Sequence, residues 1–429
     1  MSAPAHQARP GDMPAHDTRP GASDTRLPDT QQGMRRRNLA RVLHAVAAHG
    51  PVSRASVASR IGLTRAAVST LVDELIRSGL LEEPGPEHLD GPRRPGKVGR
   101  PGSALVVSGR GPVGLGAEIG VDHLAVCAVD LRGEVRARAE RQGANRGRDP
   151  RTVVQELAAL VRRVGAEAES AGLRPAGLAL AVPGLVGRDT RTVVRAPNLD
   201  WHDTDVGALL TSELPARAAR IRVPEDLPVT VDNEANFGAL AELWLAEGTP
   251  QDFLHVSAEI GIGAAPVVDG RLLRGTRGFA GELGHVPVRP AGPPCPCGGR
   301  GCLEQYAGEE AVLRAAGLEP GADRVGLLAE RAGQGDRDVL RALRGAGTAL
   351  GIALTGAVNL LDPRAVVLGG ALSELAPWLL PALERELNGR TAHRACAVTV
   401  SRLGREGPLL GAAHSVVRAV LDDPAAVKG

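Results

Sequence analysis

Beyond Gly111-Pro112 the chain alternates strand-like and helix-like hydrophobic patterns over more than 300 residues, and that alternation restricts the body to an α/β architecture. Leu115–Ile119 and Leu124–Asp130, followed by a turn at Leu131-Arg132-Gly133, predict a hairpin. Val153–Glu167 has the apolar spacing of an amphipathic helix. Gly177–Val182 predicts a buried strand ending at Pro183-Gly184, and Val229–Val231 a short strand leading into Asn233-Glu234-Ala235-Asn236 and a helix over Phe237–Glu247. Phe253–Ser257 and Ala264–Val268 continue the β pattern, Leu350–Leu361 predicts a helix, and Ala365–Leu368 a strand before Gly369-Gly370. The length allows two lobes over residues 112–429, with a hinge near 233–236, and there is no short-period repeat.

The net charge of +2 over 429 residues hides a segregation. Met34–Gly102 holds 12 Lys/Arg against 6 Asp/Glu, so a basic head precedes a mildly acidic body. Residues 1–33 are rich in Pro, Gly, Ala and Asp without periodicity and predict a disordered arm. A compact basic segment attached to a separate domain suggests a nucleic-acid module. No apolar run reaches the ~18 residues of a membrane span, and the N-terminus lacks a signal-peptide core, so a cytoplasmic protein without a membrane partner is expected.

The pattern of the head, residues 34–108, specifies the module. Leu39, Val42, Leu43 and Val46 recur at helical spacing until Gly50-Pro51 stops the helix. Ser53 and Thr64 stand where N-caps belong, on either side of an Ile61-Gly62-Leu63 turn. The third helix, from Arg65 to about Ser78, turns Val68, Leu71, Val72, Leu75 and Ile76 inward and Arg65, Ala66, Ser69, Thr70 and Asp73 outward. This is helix-turn-helix spacing. Arg65 can reach a phosphate or a guanine, and Ser69 and Thr70 are small enough to approach base edges. Leu80-Leu81-Glu82 and Ala104–Val107 predict two strands around a loop whose four cations, Arg93, Arg94, Lys97 and Arg100, have no acid among them from Gly91 to Pro101. Such an extended basic loop suits a narrow minor groove, so the head predicts a winged helix on double-stranded operator DNA. A protein-binding helical module followed by a linker is the alternative.

Three of the five cysteines fall within eight residues, in Cys295-Pro296-Cys297-Gly298-Gly299-Arg300-Gly301-Cys302, ten residues after His285. Three thiolates and one imidazole satisfy the tetrahedral preference of zinc, and no open fourth position is implied, so the ion expected is structural. Unmetallated or redox-active thiols are the alternative. Cys127 and Cys396 sit in apolar strand patterns and predict core positions.

With those ligands, Gly281-Glu282-Leu283-Gly284-His285 and Cys302-Leu303-Glu304 resemble the ROK family, which joins sugar-responsive repressors and sugar kinases on an actin-like (RNase H-like), two-lobed ATPase fold. The likeness continues through Pro183-Gly184, Pro197-Asn198-Leu199, Asn233-Glu234-Ala235-Asn236, Gly261-Ile262-Gly263 and Leu368-Gly369-Gly370. The preceding winged helix with Gly99-Arg100-Pro101 resembles the repressor branch, which includes xylose and N-acetylglucosamine repressors.

The resemblance implies phosphate loops and a general base, and all three depart from the kinase pattern. Where the kinases resemble Asp-x-Gly-Gly-Thr, this chain has Glu118-Ile119-Gly120-Val121-Asp122, and the Asp122 carboxylate repels triphosphate by on the order of 1 kcal/mol or more. Glu234 stands at the base position with its carboxylate displaced by a methylene, and a misplacement of about 1 Å can cost ~100-fold. Glu259-Ile260-Gly261-Ile262-Gly263 brings a further acid to the second phosphate loop. The sugar-facing residues implied by the family are Asn198, Asn233, Glu234, Glu282, His285 and Glu304, whose carboxylates and amides bond vicinal hydroxyls in pairs. The expectation is a homodimeric or homotetrameric, non-enzymatic repressor of carbohydrate genes, controlled by a sugar or sugar phosphate. A sugar kinase with a fused DNA module is the alternative, and so is a pocket retained for packing alone.

Overall fold

The computed structural model describes residues 30–84, 104–214, 227–319, 323–392 and 396–427. Its head begins earlier than the composition suggests. Thr30 accepts from the Gly33 amide and starts α1 (Gln31–His49), so residues 31–33, expected in the arm, are helical because a capping hydroxyl precedes them. After β1 (Val52–Ser53), the Ser53 hydroxyl caps α2 (Arg54–Ile61) by accepting from Ser56 at 3.1 Å, and Thr64 caps α3 (Arg65–Arg77) by accepting from Ala67 at 3.2 Å. β2 (Leu81–Glu82) and β3 (Ala104–Val107) pair antiparallel as expected. β3 also pairs with β1, a strand too short to carry a signal in the sequence, giving the order β1-β3-β2.

The first lobe contains β4 (Gly111–Ile119), β5 (His123–Asp130), β6 (Val135–Gln142), α4 (Pro150–Ser170), β7 (Leu173–Val182), the small sheet β8 (Leu185–Val186), β9 (Thr192–Ala196) and β10 (Trp201–Asp205), then α5 (Val206–Glu213) and β11 (Val229–Asn233). Its main sheet has the order β11-β7-β4-β5-β6, with β4, β7 and β11 parallel and the β4-β5-β6 meander antiparallel. The helix after β11 starts at Glu234 rather than Phe237, because the Asn233 side chain caps it by accepting from Ala235.

That helix, α6 (Glu234–Leu245), leads to the second lobe: β12 (Phe253–Ala258), β13 (Ile262–Val268), β14 (Arg271–Leu272), α7 (Glu304–Ala307), α8 (Glu309–Ala316), α9 (Arg324–Gly333), α10 (Arg337–Leu361), β15 (Ala365–Gly370), α11 (Ala371–Arg390) and β16 (Ala397–Val400). The sheet order β14-β13-β12-β15-β16 repeats the first lobe's connectivity: an antiparallel meander, then two parallel strands added beside its first strand. The two lobes are copies of one topology, as in actin-like folds.

The last long helix, α12 (Gly407–Asp422), returns to the first lobe, where it packs on β4, β5 and β7, against α6 and against α1 of the head. At Gly116 of β4 an added Cβ would lie 2.5 Å from the Leu409 carbonyl, so only glycine admits the helix this close. Leu409, Ala413, Val417, Val420 and Leu421 join one apolar cluster with Leu39, Val42 and Leu43 of α1 and with Ala125, Cys127 and Val129 of β5. Each fully buried Leu or Val contributes roughly 1.5–3 kcal/mol, so head and body share a core.

Candidate functional site

The outward face of α3 carries Arg65 and Thr70, both exposed, and Ser69, half-buried. The Thr70 hydroxyl donates to Ala66 O at 3.2 Å and keeps its oxygen free to accept. Asp73, expected on this face, is held by Arg54, which also donates to Glu83 and to Ser69 O and so braces α2, α3 and the residue after β2. Arg60, exposed at the end of α2, adds a cation that the helix pattern did not single out. Arg93, Arg94, Lys97 and Arg100 lie outside the described residues.

Between the lobes, the loop Pro197-Asn198, the start of α6, the β12–β13 turn and the loop before α7 surround one cleft. Its lining includes Asn198, Asn233, Glu234, Glu282, His285 and Glu304, drawn from four segments well separated in sequence. Gly261 is pressed between two of them: an added Cβ would lie 2.4 Å from Glu304 Oε2 and 3.0 Å from Asn198 Nδ2. Asn233 is largely committed to the backbone, donating to Gly184 O at 2.8 Å and accepting from Ala235 N at 2.8 Å, which leaves one N–H for the cleft. Burial raises Glu234 to about 8, with Glu118 adding to it, so its carboxyl is largely protonated at neutral pH.

The four residues expected to ligate a metal form a compact set. The ligand atoms of His285, Cys295, Cys297 and Cys302 all lie within 4.8 Å of one another. Cys297 Sγ and Cys302 Sγ are 3.7 Å apart, and Cys295 Sγ is 3.8 Å from His285 Nδ1. Zinc–sulfur bonds of about 2.3 Å in a tetrahedron require sulfur–sulfur edges of ~3.8 Å, so these residues fit a tetrahedral divalent cation. The ring's other nitrogen, Nε2, lies 3.7 Å from Glu282 Oε2, on the cleft side. At Gly281 an added Cβ would lie 2.0 Å from Ala264 O, and φ is +108°, so glycine alone lets this loop lie on β13. From the other lobe Arg195, on β9, donates to Pro296 O at 2.8 Å and Cys297 O at 3.3 Å. Sequence reading missed this arginine, since nothing in its own segment distinguishes it. Cys127 is buried in β5, and Cys396 is half-buried against the second lobe's core.

At the deep end of the cleft the β4–β5 and β12–β13 turns face each other, at equivalent places in the repeated topology. They carry Asp122 and Glu259. Arg324 donates to Asp122 at 2.7 Å and to Glu309 at 2.9 Å, bridging the lobes. Arg405 donates to Glu309 at 2.9 Å and lies 3.3 Å from Glu374 and 3.7 Å from Glu259. His123 lies 3.2 Å from Asp122 and 3.6 Å from Glu118. Burial opposes the charge on this imidazole, but the hydrogen bond to Asp122 and the nearby Glu118 carboxylate outweigh it and hold it up at about 10. The same hydrogen bond, reinforced by Arg324, keeps Asp122 down at about 2. Burial pushes Glu259 well above the carboxylate range.

Comparison with known proteins places this geometry. The sequence profile of the ROK family matches residues 114–419, and that of the MarR family matches residues 36–88. A putative xylose repressor from Caldicellulosiruptor sp. is 30% identical over 401 residues, which cover 89% of this chain and 96% of the relative. The crystal structure of a ROK family transcriptional regulator, a homolog of the E. coli MLC protein, superposes with a TM-score of 0.73 at 24% identity, over 91% of this chain and 97% of the other. A ROK family glucokinase from Streptomyces griseus, solved with glucose and AMPPNP, gives a TM-score of 0.60 at 27% identity, over 71% of this chain and 98% of the other. With a MarR-type winged helix ahead of a duplicated actin-like body, the chain belongs to the ROK family.

Proposed function

We propose that this protein is a sequence-specific DNA-binding repressor of carbohydrate genes, whose operator affinity is set by a sugar held between its lobes, and that it does not phosphorylate that sugar. The observation that carries the reading is the continuity of the repressor likeness: the xylose-repressor relative aligns across head and body together, whereas the glucokinase aligns with the body alone. A homodimer or homotetramer would place two heads on a two-fold site, α3 in the major groove with Arg65, Ser69 and Thr70 at the bases and backbone, and the Arg93, Arg94, Lys97 and Arg100 loop in the minor groove.

In the cleft, Asn198, Glu234, Glu282, His285 and Glu304 bond sugar hydroxyls, and Asn233 adds its remaining N–H. His285, Cys295, Cys297 and Cys302 would hold a structural zinc ion, which would crosslink the loop, while the Nε2 edge of His285 faces Glu282 on the cleft side. The absence of phosphoryl transfer is supported by the ion-paired turns, where Asp122 and Glu259 engage Arg324 and Arg405 at the place of the kinase phosphate loops.

The route to DNA is α12. Arg405, just before its start, stands in the cleft's charge cluster, and its far end meets α1 through Asp422 and Asp423, which pair with His44 and Arg36. Sixteen residues at 1.5 Å rise make a rod about 24 Å long, so a change in lobe closure at one end displaces the other. The effect is limited to the sugar's differential affinity for the two states.

Fluorescence anisotropy with duplexes from the protein's own upstream region tests the reading, in the presence and absence of a sugar library and at several salt concentrations. The expected result is salt-dependent, sequence-selective binding that one sugar weakens. Binding without sequence preference, or ADP release on adding ATP and a hexose, overturns it.

A further inference from the structure

We infer that the turn between β5 and β6 is a joint between the body and the wing, and that Arg132 in this turn is a positioning residue that sets the angle at which the wing meets DNA. This rests on the winged-helix reading above and adds a residue of the body to it.

In sequence, Leu131-Arg132-Gly133 marks only a turn. In the fold that turn holds one shape and reaches the head. Asp130, 1% exposed, accepts at Oδ1 from the Arg132 amide at 2.9 Å and the Glu134 amide at 3.0 Å, and at Oδ2 from Arg136 Nη1 at 2.9 Å. Leu131 is buried and joins the apolar cluster that contains Leu80, Leu81, Leu105 and Val107 of the head. Arg132 then clasps both wing strands: Nε donates to Val107 O on β3 at 2.8 Å, and Nη2 donates to the Glu82 carboxylate on β2. Arg136 donates to Gly109 O at 3.0 Å, which pins the connector between head and body.

The described ladder of β2 and β3 has two rungs, Leu81 with Val107 and Glu82 with Val106, and one guanidinium holds a member of each. So short a ladder does little by itself to fix the direction of its strands. The segment that carries Arg93, Arg94, Lys97 and Arg100 joins these two strands in the sequence, so their direction decides where those cations are presented. The Arg132 and Glu82 side chains are 44% and 40% exposed, and their pairing adds only about 0–1 kcal/mol to stability. What the planar fork supplies is orientation. At its other end β5 begins at His123, 3.2 Å from Asp122 in the cleft's charge cluster, and its eight residues at about 3.4 Å each reach about 25 Å to Asp130. The wing therefore turns with the first lobe, while α1 is tied to α12.

Footprinting of the full-length protein on its operator tests this, with hydroxyl radicals reading the minor groove and dimethyl sulfate reading guanine N7 in the major groove. Arg132→Ala is expected to melt cooperatively and to keep the major-groove protection given by α3. It should lose minor-groove protection and bind about tenfold more weakly, the scale of one lost charge-assisted contact. Glu82→Ala frees one strand from the clasp, leaves the turn intact, and is expected to lose part of the same protection. Full minor-groove protection in either variant overturns the inference, and so does an equal loss in both grooves, which marks a general loosening of the head. The double variant Arg93→Ala, Arg94→Ala keeps the two readings apart: if it retains full minor-groove protection, the wing does not read that groove and the inference falls with that reading.

Discussion

His44 Nε2 on α1 and Asp422 Oδ1 on α12 lie 2.7 Å apart, so the DNA-binding head is tied to the helix whose other end stands beside the interlobe cleft. The pair faces solvent, and an exposed ion pair contributes about 0–1 kcal/mol. Its value lies in position rather than stability. Asp422→Asn is expected to leave the melting temperature nearly unchanged and to shrink the ratio of operator affinities measured with and without sugar. Anisotropy titrations of the variant read that ratio directly, and an unchanged ratio removes this contact from the coupling route.

Arg324 joins Asp122 of one lobe to Glu309 of the other, and its side chain is largely buried. Arg324→Gln leaves Glu309 with Arg405 as its remaining cation and is expected to destabilise the body by about 1.5–3 kcal/mol, the scale of a lost hydrogen bond to a charged group rather than of a stranded buried charge. Arg324→Lys should recover only part of this, since one ammonium cannot span two carboxylates as a planar guanidinium does. Urea denaturation of the three proteins checks the order.

The thiol–imidazole cluster predicts one zinc per chain by atomic emission and its loss in Cys295→Ser. Removing the metal by chelation is expected to lower the melting temperature, because the loop that carries Pro296 and His285 then loses its crosslink and keeps only weaker contacts, among them the bonds from Arg195. Arg195→Gln should retain zinc yet weaken sugar binding, a separation that metal analysis and calorimetry together resolve.

The pH dependence has a definite sign. His123 is raised from its ordinary 6.5 to about 10, so its contribution is complete below pH 6.5 and is lost as pH rises through 10. Glu234, raised to about 8, works in the same direction: its neutral form is favoured in the fold, and that contribution fades between its ordinary 4.5 and pH 8. Asp122, held at about 2, contributes above 3.8 and is lost only as pH falls through 2. Stability should therefore decline between pH 6.5 and 10, and the decline should flatten in His123→Asn. Urea midpoints at pH 6, 8 and 9.5 measure it.

On the DNA face, Arg65→Ala should weaken operator binding. If Arg65 meets a phosphate, the loss is uniform across sequences and the salt dependence falls by about one ion; if it meets a guanine, specificity relaxes at one position at a cost of about 1–3 kcal/mol. A panel of single-base operator variants distinguishes the two.

What the sequence determined by itself is local. Thr30, Ser53 and Thr64 start their helices because a capping hydroxyl needs only an amide three residues ahead, and the thiol–imidazole cluster is legible because its four residues occupy one short stretch. The six cleft residues were legible only through resemblance, since no spacing relates Asn198 to Glu304. Tertiary structure decided the rest. It set β1 beside β3, committed Asn233 to the backbone, and brought Asp122 to Arg324 across 202 residues and His44 to Asp422 across 378. The physical reason is that a cap is satisfied within one turn of chain, whereas a cation's choice among many carboxylates depends on which of them packing buries beside it, and no local pattern encodes that choice.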